Sequence, residues 1–323
     1  ARLVRRVRPA LLHAHSAKAG LAGRLAVRGS LPTVFQPHAW SFDAVGGTTG
    51  ALALRWERYG ARWADRVLCV SEAERRAGEA AGIAARWAVV RNGVDLGHFR
   101  PGGPDPDHDK ALARAGLPLP AAFRGDGPLA VCVGRLCQQK GQDILLGAWP
   151  QVRATVPGAR LALVGDGPDT ERLRRSAPPG VLFAGAAADI RPWLRAADLV
   201  VLPSRWEGMA LAPLEAMACG RPVLVSDVSG ARESLPPGHG RHCLVRPEDP
   251  AALAGALGRL LPAPRLLAEL GEQAGQYVRT EFDVRRTTDA VTGLYQELLG
   301  RPTPWLHRGD PDPQPLNQER ISR

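Results

Sequence analysis

Short apolar runs of four or five residues punctuate this chain, and between them apolar positions recur every third or fourth residue. The runs at 129–133, 161–164, 181–184, 199–202 and 223–226 are rich in Val, Leu and Ala and too short for helices. Each predicts a buried strand. Helical spacing over 142–155, 170–176, 190–197 and 211–219 predicts a helix after each of the first four. Alternation of this kind makes a parallel sheet with helices on its faces. The first hundred residues follow the same scheme, with strands expected at 10–15, 32–38, 67–70 and 87–91 and helices at 16–28, 50–64 and 71–82. Ser16 is the expected N-cap of the first of these helices, and Ser71 with Glu74 has the spacing of a capping box.

Between the two alternations, 100–127 is rich in Pro, Gly and Asp and reads as a junction, with a short helix at 110–115. Its Asp105-Pro106-Asp107-His108-Asp109 is read as solvated linker acids, with a metal site as the alternative. Three helices without intervening strands follow at 250–261, 264–280 and 284–299. Beyond Gly300, many prolines and few apolar residues predict a disordered tail.

In a doubly wound sheet, ligands sit outside the carboxyl ends of the strands, so the loops there are where chemistry is sought. After the 129–133 run come Gly134-Arg135 and then Lys140-Gly141, two cations within six residues. Arg grips phosphate oxygens bidentately and Lys supplies a point charge, a pair suited to a diphosphate. After 161–164 stands Gly165-Asp166-Gly167, a glycine loop that any tight turn could use. The stretch from Ser204 to Pro222 reads as turn, helix and stop. The turn carries Glu207 and Gly208, the helix carries Glu215 about two turns further on, and Gly220 and Pro222 close it. Amides at that helix start suit anionic oxygens, while carboxylates accept hydrogen bonds from sugar hydroxyls.

Composition narrows the classes. The formal charge is +10, carried almost wholly by arginine, because Lys18, Lys110 and Lys140 are the only lysines. Seven basic residues precede Asp43, the first acid. Such a face attracts an anionic membrane surface or nucleic acid. Nucleic acid is set aside, since no basic stripe interleaved with aromatics occurs. No run reaches the roughly 20 apolar residues of a bilayer span, and no signal peptide is evident. The five cysteines include no C-x-x-C pair, which points to a reduced, cytoplasmic compartment and away from a cysteine nucleophile. His13 and His15 are expected on opposite strand faces, which argues against a shared metal.

The combination of Gly134-Arg135, Lys140-Gly141, Gly165-Asp166-Gly167 and Glu207-x7-Glu215, running into Ala216-Met217-Ala218-Cys219-Gly220 and Pro222, resembles the family 4 glycosyltransferases of GT-B fold. His15-Ser16 with Lys18-Ala19-Gly20, Pro37 to Phe42, and Asn92 to Asp95 are similar to members that build bacterial extracellular polysaccharides. The resemblance implies two Rossmann-like, doubly wound parallel-sheet domains, the first lacking its initial strands and the chain N-terminally incomplete. It places a partial acceptor-binding domain at 1–122 and a donor-binding domain at 123–283. A helix at 284–300 crosses back, and the tail is 301–323. It implies a metal-independent, retaining transfer from a UDP- or GDP-sugar, with no other cofactor, to a saccharide or lipid-linked acceptor at the inner face of the membrane.

By residue, the resemblance has Arg135 and Lys140 neutralise the donor diphosphate beside Gly134 and Gly165. Glu207 and the backbone of Gly208, Met209, Ala210 and Leu211 bind the donor sugar. Glu215 takes the ribose, backbone near Ala187 meets the base, and His38 faces the reacting sugar. A capping or core imidazole remains the plainer account of His38. Met209-Ala210 departs from the Phe-Gly often found at that point, which bears on sugar preference. A non-catalytic nucleotide-sugar-binding subunit is the alternative function. An oxidoreductase would need G-x-G-x-x-G opening a helix and an acid about 20 residues on, and no good copy is present.

Overall fold

The computed structural model describes residues 1–300 except Pro104 and Asp126. The tail expected to be disordered, 301–323, lies outside the described residues. The chain forms two parallel sheets flanked by helices.

The first sheet contains β1 (Leu12–His15), β2 (Thr33–Gln36), β3 (Arg66–Cys69) and β4 (Trp87–Val89) in sequential order. Helices α2 (Ser16–Val27), α3 (Gly47–Gly60) and α4 (Glu72–Ala80) connect them, and α1 (Arg2–Val7) precedes β1. A one-turn stop at Ala61–Trp63 ends α3 before β3. Helix α1 was not expected, because its six residues, three of them arginine, are too few to show a helical period. Phe35, Val67 and Cys69 point to one side of the sheet and pack with Trp40 and Ile83. Val34 and Leu68 point to the other. A single strand buried on both faces explains why its sequence shows no alternation.

The second sheet holds β5 (Leu129–Val133), β6 (Arg160–Val164), β7 (Val181–Gly185), β8 (Leu199–Leu202), β9 (Val223–Ser226) and β10 (Leu244–Val245). Their spatial order is β10-β9-β8-β5-β6-β7, all parallel. Strands β5, β6, β8 and β9 are buried at every position. Helices α6 (Gln142–Thr155), α7 (Thr170–Arg175), α8 (Arg191–Ala196) and α9 (Leu211–Ala218) link strands, and Gly220 stops α9 at φ +74. Short helices α10 (Ala231–Ser234) and α11 (Gly240–Cys243) lead into β10, followed by α12 (Pro250–Leu260) and α13 (Pro264–Glu281). Two-residue β10 is too short to leave a pattern in the sequence.

Three local expectations are corrected. Ser16 is no N-cap: it starts α2 at φ +74, and His15 occupies the cap position without a side-chain bond. The junction helix, α5 (Pro106–Gly116), is longer than expected because its acids build it. Asp105 caps it, accepting from the amides of Asp107 at 3.0 Å and His108 at 3.2 Å, with Pro106 at the first helical position. Asp109 is buried against Arg221 at 3.4 Å rather than solvated. Finally, Ser71 caps α4 as expected, but Glu74 does not close the box. Its carboxylate turns away to Val70 and Ala39.

The last helix, α14 (Val284–Leu298), leaves the second sheet and lies on the first. Its Leu294 packs with Val34 and Leu68, flanked by Val291, Tyr295 and Leu298, and its Glu297 pairs with Arg66.

Candidate active site

In the second sheet the strand order runs outward in opposite directions from the β5–β8 pair. The crevice of such a sheet opens at that reversal, beyond the carboxyl ends of those two strands. The loop Gly134–Gly141 leaves β5 there, and the loop carrying Ser204 and Glu207 leaves β8. Lys140 ends a one-turn helix, Gln138–Lys140, and Gly141 follows at φ +66. A Cβ on Gly141 would collide with the carbonyl of Pro203, so only glycine lets the two loops close up.

That closeness produces the central contact. Lys140 Nζ donates to Glu207 Oε1 at 2.6 Å, and Ser204 Oγ donates to the same oxygen at 2.7 Å. The Glu207 carboxylate is buried, so its one cation and one hydroxyl hold it in place. Behind it, Arg205 forks onto Asp143 at 2.9 and 2.8 Å and reaches Glu248 at 2.8 Å, which fixes the turn. The stem of Lys140 passes over Gly134 at a distance that would put a Cβ there in ordinary van der Waals contact with it. Gly165, at φ +140, sits so tightly on the Gly134 carbonyl that a Cβ would collide with it.

The other expected residues surround this contact. Arg135 is exposed, and its side chain makes no hydrogen bond or ion pair among the described residues. Ala210 N-caps α9 with no side-chain oxygen, which leaves the first amides of the helix uncapped beside exposed Leu211. Buried Met209 offers its carbonyl to Asn92 Nδ2 at 2.7 Å. Glu215 is half-buried further along α9, and burial pushes its carboxyl up from the ordinary range. Ala187 packs half-buried beyond β7, near a cleft of about 320 Å³ lined by Gly165, Asp166, Thr170, Arg174, Phe183 and Gly185. Arg135, Glu215 and Ala187 make no direct bond to Lys140 or Glu207.

The first sheet supplies the facing wall. His38 and Ala39 both have positive φ, +56 and +110, a conformation that costs non-glycine residues about 1–3 kcal/mol each. His38 Nε2 lies 2.8 Å from His15 Nδ1. His13 stacks on His15 with ring centroids 4.0 Å apart, and its Nδ1 meets Tyr295 Oη at 2.5 Å. The two strand histidines therefore share a face, contrary to expectation, because residues two apart on a strand point the same way. Burial lowers His13 to about 4 and also lowers His15 and His38, so all three rings are neutral at pH 7. Among the described residues, no group of three or more His, Cys, Asp or Glu side chains is arranged to hold a metal ion.

The two walls touch at Gly208. A Cβ there would lie 2.8 Å from Val70 Cγ2 and 3.0 Å from both Ala39 N and Glu74 Oε1. Ser71 Oγ donates to the Gly208 carbonyl at 2.9 Å. Glu233 accepts from the first amides of α4, Glu72 N at 2.9 Å and Ala73 N at 2.8 Å, the favourable end of that helix dipole. Sequence reasoning missed Glu233 and the bond from Asn92, since neither belongs to a local pattern. Glu74 was visible only as half of a capping box.

Residues 1–98 match the model described as Glycosyltransferase Family 4, and residues 127–262 match that of Glycosyl transferases group 1. The putative teichuronic acid biosynthesis glycosyltransferase TuaC of Bacillus subtilis is 30% identical over 296 residues, covering 90% of this chain and 71% of that protein. The chain belongs to the family 4 glycosyltransferases. The D-inositol 3-phosphate glycosyltransferase of Acidothermus cellulolyticus is 37% identical over 231 residues, so this chain, matched over 66% of its length, spans about half (48%) of that relative. Among solved structures, Anabaena HepE in complex with UDP and glucose superposes with a TM-score of 0.76 at 25% identity, covering 92% of this chain and 80% of that one. The two-sheet architecture is thus the GT-B fold.

Proposed function

We propose that this protein transfers a sugar, with retention of configuration, from a nucleotide-sugar donor to a saccharide or lipid-linked acceptor in cell-surface or extracellular polysaccharide synthesis. The observation that carries this reading is the Lys140–Glu207–Ser204 contact at the reversal point of the donor-side sheet. In this reading Lys140 and Arg135 face the donor diphosphate and balance the charge that grows as the sugar departs. Lys140 would then bridge phosphate and Glu207, leaving the second carboxylate oxygen of Glu207 to accept from a donor-sugar hydroxyl. Uncapped amides at Leu211 and Ala212 suit the phosphate oxygens. Glu215 takes the ribose, backbone near Ala187 the base, and neutral His38 faces the reacting sugar from the opposite wall.

The two cations carry the electrostatic work, so the reading needs no metal ion. The UDP and glucose held by Anabaena HepE support a UDP-sugar among the candidates. Contact between the walls excludes water and favours transfer over hydrolysis. Exposed Leu3, Val7, Leu21 and Leu25 lie on α1 and α2 among Arg2, Arg5, Arg6 and Lys18. That mixture supports peripheral contact with an anionic leaflet on the cytoplasmic side. No helix among the described residues is long and apolar enough to cross a membrane.

The experiment is a thermal-shift panel of UDP-glucose, GDP-mannose and ADP-glucose, followed by turnover of the donor that stabilises most. Arg135→Ala and Glu207→Gln should each cost about 2–4 kcal/mol of transition-state stabilisation, roughly 30- to 1,000-fold in kcat/KM. Wild-type turnover in both variants refutes the assignment. Donor-induced stabilisation with no transfer or hydrolysis favours a binding subunit instead.

A further inference from the structure

One buried carboxylate has no place in the scheme above. Glu74 is 1% exposed, and no cation is paired with it among the described residues. Both of its oxygens are used. Oε1 accepts from Ala39 N at 2.6 Å and Oε2 from Val70 N at 2.7 Å. Burial pushes its carboxyl up to about 7 against the pull of those two bonds, and so costly an acid is a poor choice for a mere turn anchor, because a hydroxyl or amide would satisfy a single N–H without that penalty. Here the two N–H donors meet different oxygens of one side chain, and a carboxylate presents both as acceptors where a glutamine amide would turn an NH₂ towards one of them.

The peptide that Glu74 holds is the strained one. With φ +56 at His38 and +110 at Ala39, the 38–39 peptide is turned so that its N–H enters the interior. The His38 ring is thereby carried out to the carboxyl end of β1, where it meets His15. From the other wall, Gly208 of the donor-side turn lies against the same two atoms, Ala39 N and Glu74 Oε1. Trp40 locks the arrangement from behind, its indole N–H donating 2.7 Å to the Glu74 carbonyl.

We propose that Glu74 is a positioning residue for transfer: its carboxylate holds the 38–39 peptide in the strained turn that aims His38 into the cleft beside Gly208. The inference rests on the reading of His38 given above. Glu74 touches no substrate in this account and acts through the backbone of its neighbour.

The test uses the full chain, with UDP-glucose and GDP-mannose as donor probes and release of the nucleoside diphosphate as the measure of turnover. Glu74→Gln, which keeps size but offers one acceptor oxygen, should lower kcat at least tenfold while the donor KM stays within about twofold. The double variant with His38→Ala should be no slower than His38→Ala alone, since both changes remove the same contribution. A His38→Ala variant that turns over normally overturns the reading of His38 itself. If His38→Ala is slow but Glu74→Gln is not, or if the two losses multiply, the positioning role alone is overturned.

A second arm needs no donor. Histidine ring spectra by NMR, with His38 assigned from its loss in His38→Ala, should show His38 and His15 shifted in Glu74→Gln while His98 and His239 stay in place. An unmoved His38 signal overturns the proposal. Ala39→Gly, which removes the steric penalty of the turn, should raise the melting temperature by about 2–6 °C and restore the His38 signal in the Glu74→Gln background. A drop in melting temperature with Ala39→Gly shows that no strain is being held.

Discussion

Replacing Gly208 with alanine should pry the two walls of the cleft apart. Gly208 does not occupy a positive φ, so the obstacle is not the backbone preference of alanine but the space its methyl would need. That space is taken by Val70 Cγ2 at 2.8 Å, by the amide nitrogen of Ala39 at 3.0 Å and by Glu74 Oε1 at 3.0 Å. None can yield: Val70 is fully buried, Ala39 N is backbone, and both of Glu74's oxygens are already bonded. Overfilling a packed contact of this kind costs about 1–3 kcal/mol. Separation also breaks the bond from Ser71 Oγ to the Gly208 carbonyl, worth about 1 kcal/mol. The sum, about 2–4 kcal/mol, falls on the docked arrangement alone and shifts its population roughly 30- to 1,000-fold. Small-angle scattering should show a larger radius of gyration, and donor turnover should fall by a similar factor. Gly293→Ala in α14, where a methyl meets nothing within 4 Å, is the control and should stabilise by about 0.5–1 kcal/mol. A Gly208→Ala protein with the scattering and turnover of the wild type refutes the claim that this contact closes the site.

Other expectations follow from single contacts. Lys140→Met strands the Glu207 carboxylate with only Ser204, and for a partly exposed pair the loss should be about 1–2 kcal/mol in urea unfolding, together with loss of donor-induced thermal stabilisation. Glu233→Ala removes two charge-assisted bonds to the start of α4, so scattering should expand while donor affinity is kept. His13 has its folded-state pKa lowered to about 4 by burial, so its contribution is fully present above the unfolded value of 6.5 and is lost as pH falls from there toward 4. Wild-type stability should therefore drop across that window by about 1–2 kcal/mol more than that of His13→Gln, after allowance for solvent screening at a partly exposed ring. Equal slopes for the two proteins contradict the assignment.

Where the sequence was legible, a local rule and the tertiary structure agreed. The five apolar runs from 129 to 226 became β5 to β9, four of them buried at every position between helices and β7, at the sheet edge, half-buried throughout. The loops after β5 and β8 could be singled out because glycine and scarce lysine stand at strand ends, and the fold brings those loops into contact through Lys140 and Glu207. What was illegible depends on partners far away in the chain. The acids at 105–109 looked solvated because nothing nearby reveals Arg221, more than a hundred residues on, against which Asp109 is buried. Ser71 and Glu74 matched a capping box, but the carboxylate was drawn instead to the amide of Ala39, exposed by a turn that no spacing rule anticipates. The stacked histidines were misjudged for a simpler reason: the period of a strand puts residues two apart on one face. Arg135 and Glu215 were found by residue type, yet among the described residues no bond ties either one to the Lys140–Glu207 pair.

The course of α14 determines how the molecule can be taken apart. Because Leu294 and its neighbours cover Val34 and Leu68 of the sheet formed by the opposite end of the chain, cutting at the 100–128 junction yields no self-sufficient piece. The shorter fragment would bare an apolar sheet face, and the longer one would carry a helix with nothing beneath it. Mixed together, the two should reassemble, and truncation at Asp283 should damage the histidine-bearing half first, although the missing residues belong to the other end of the sequence.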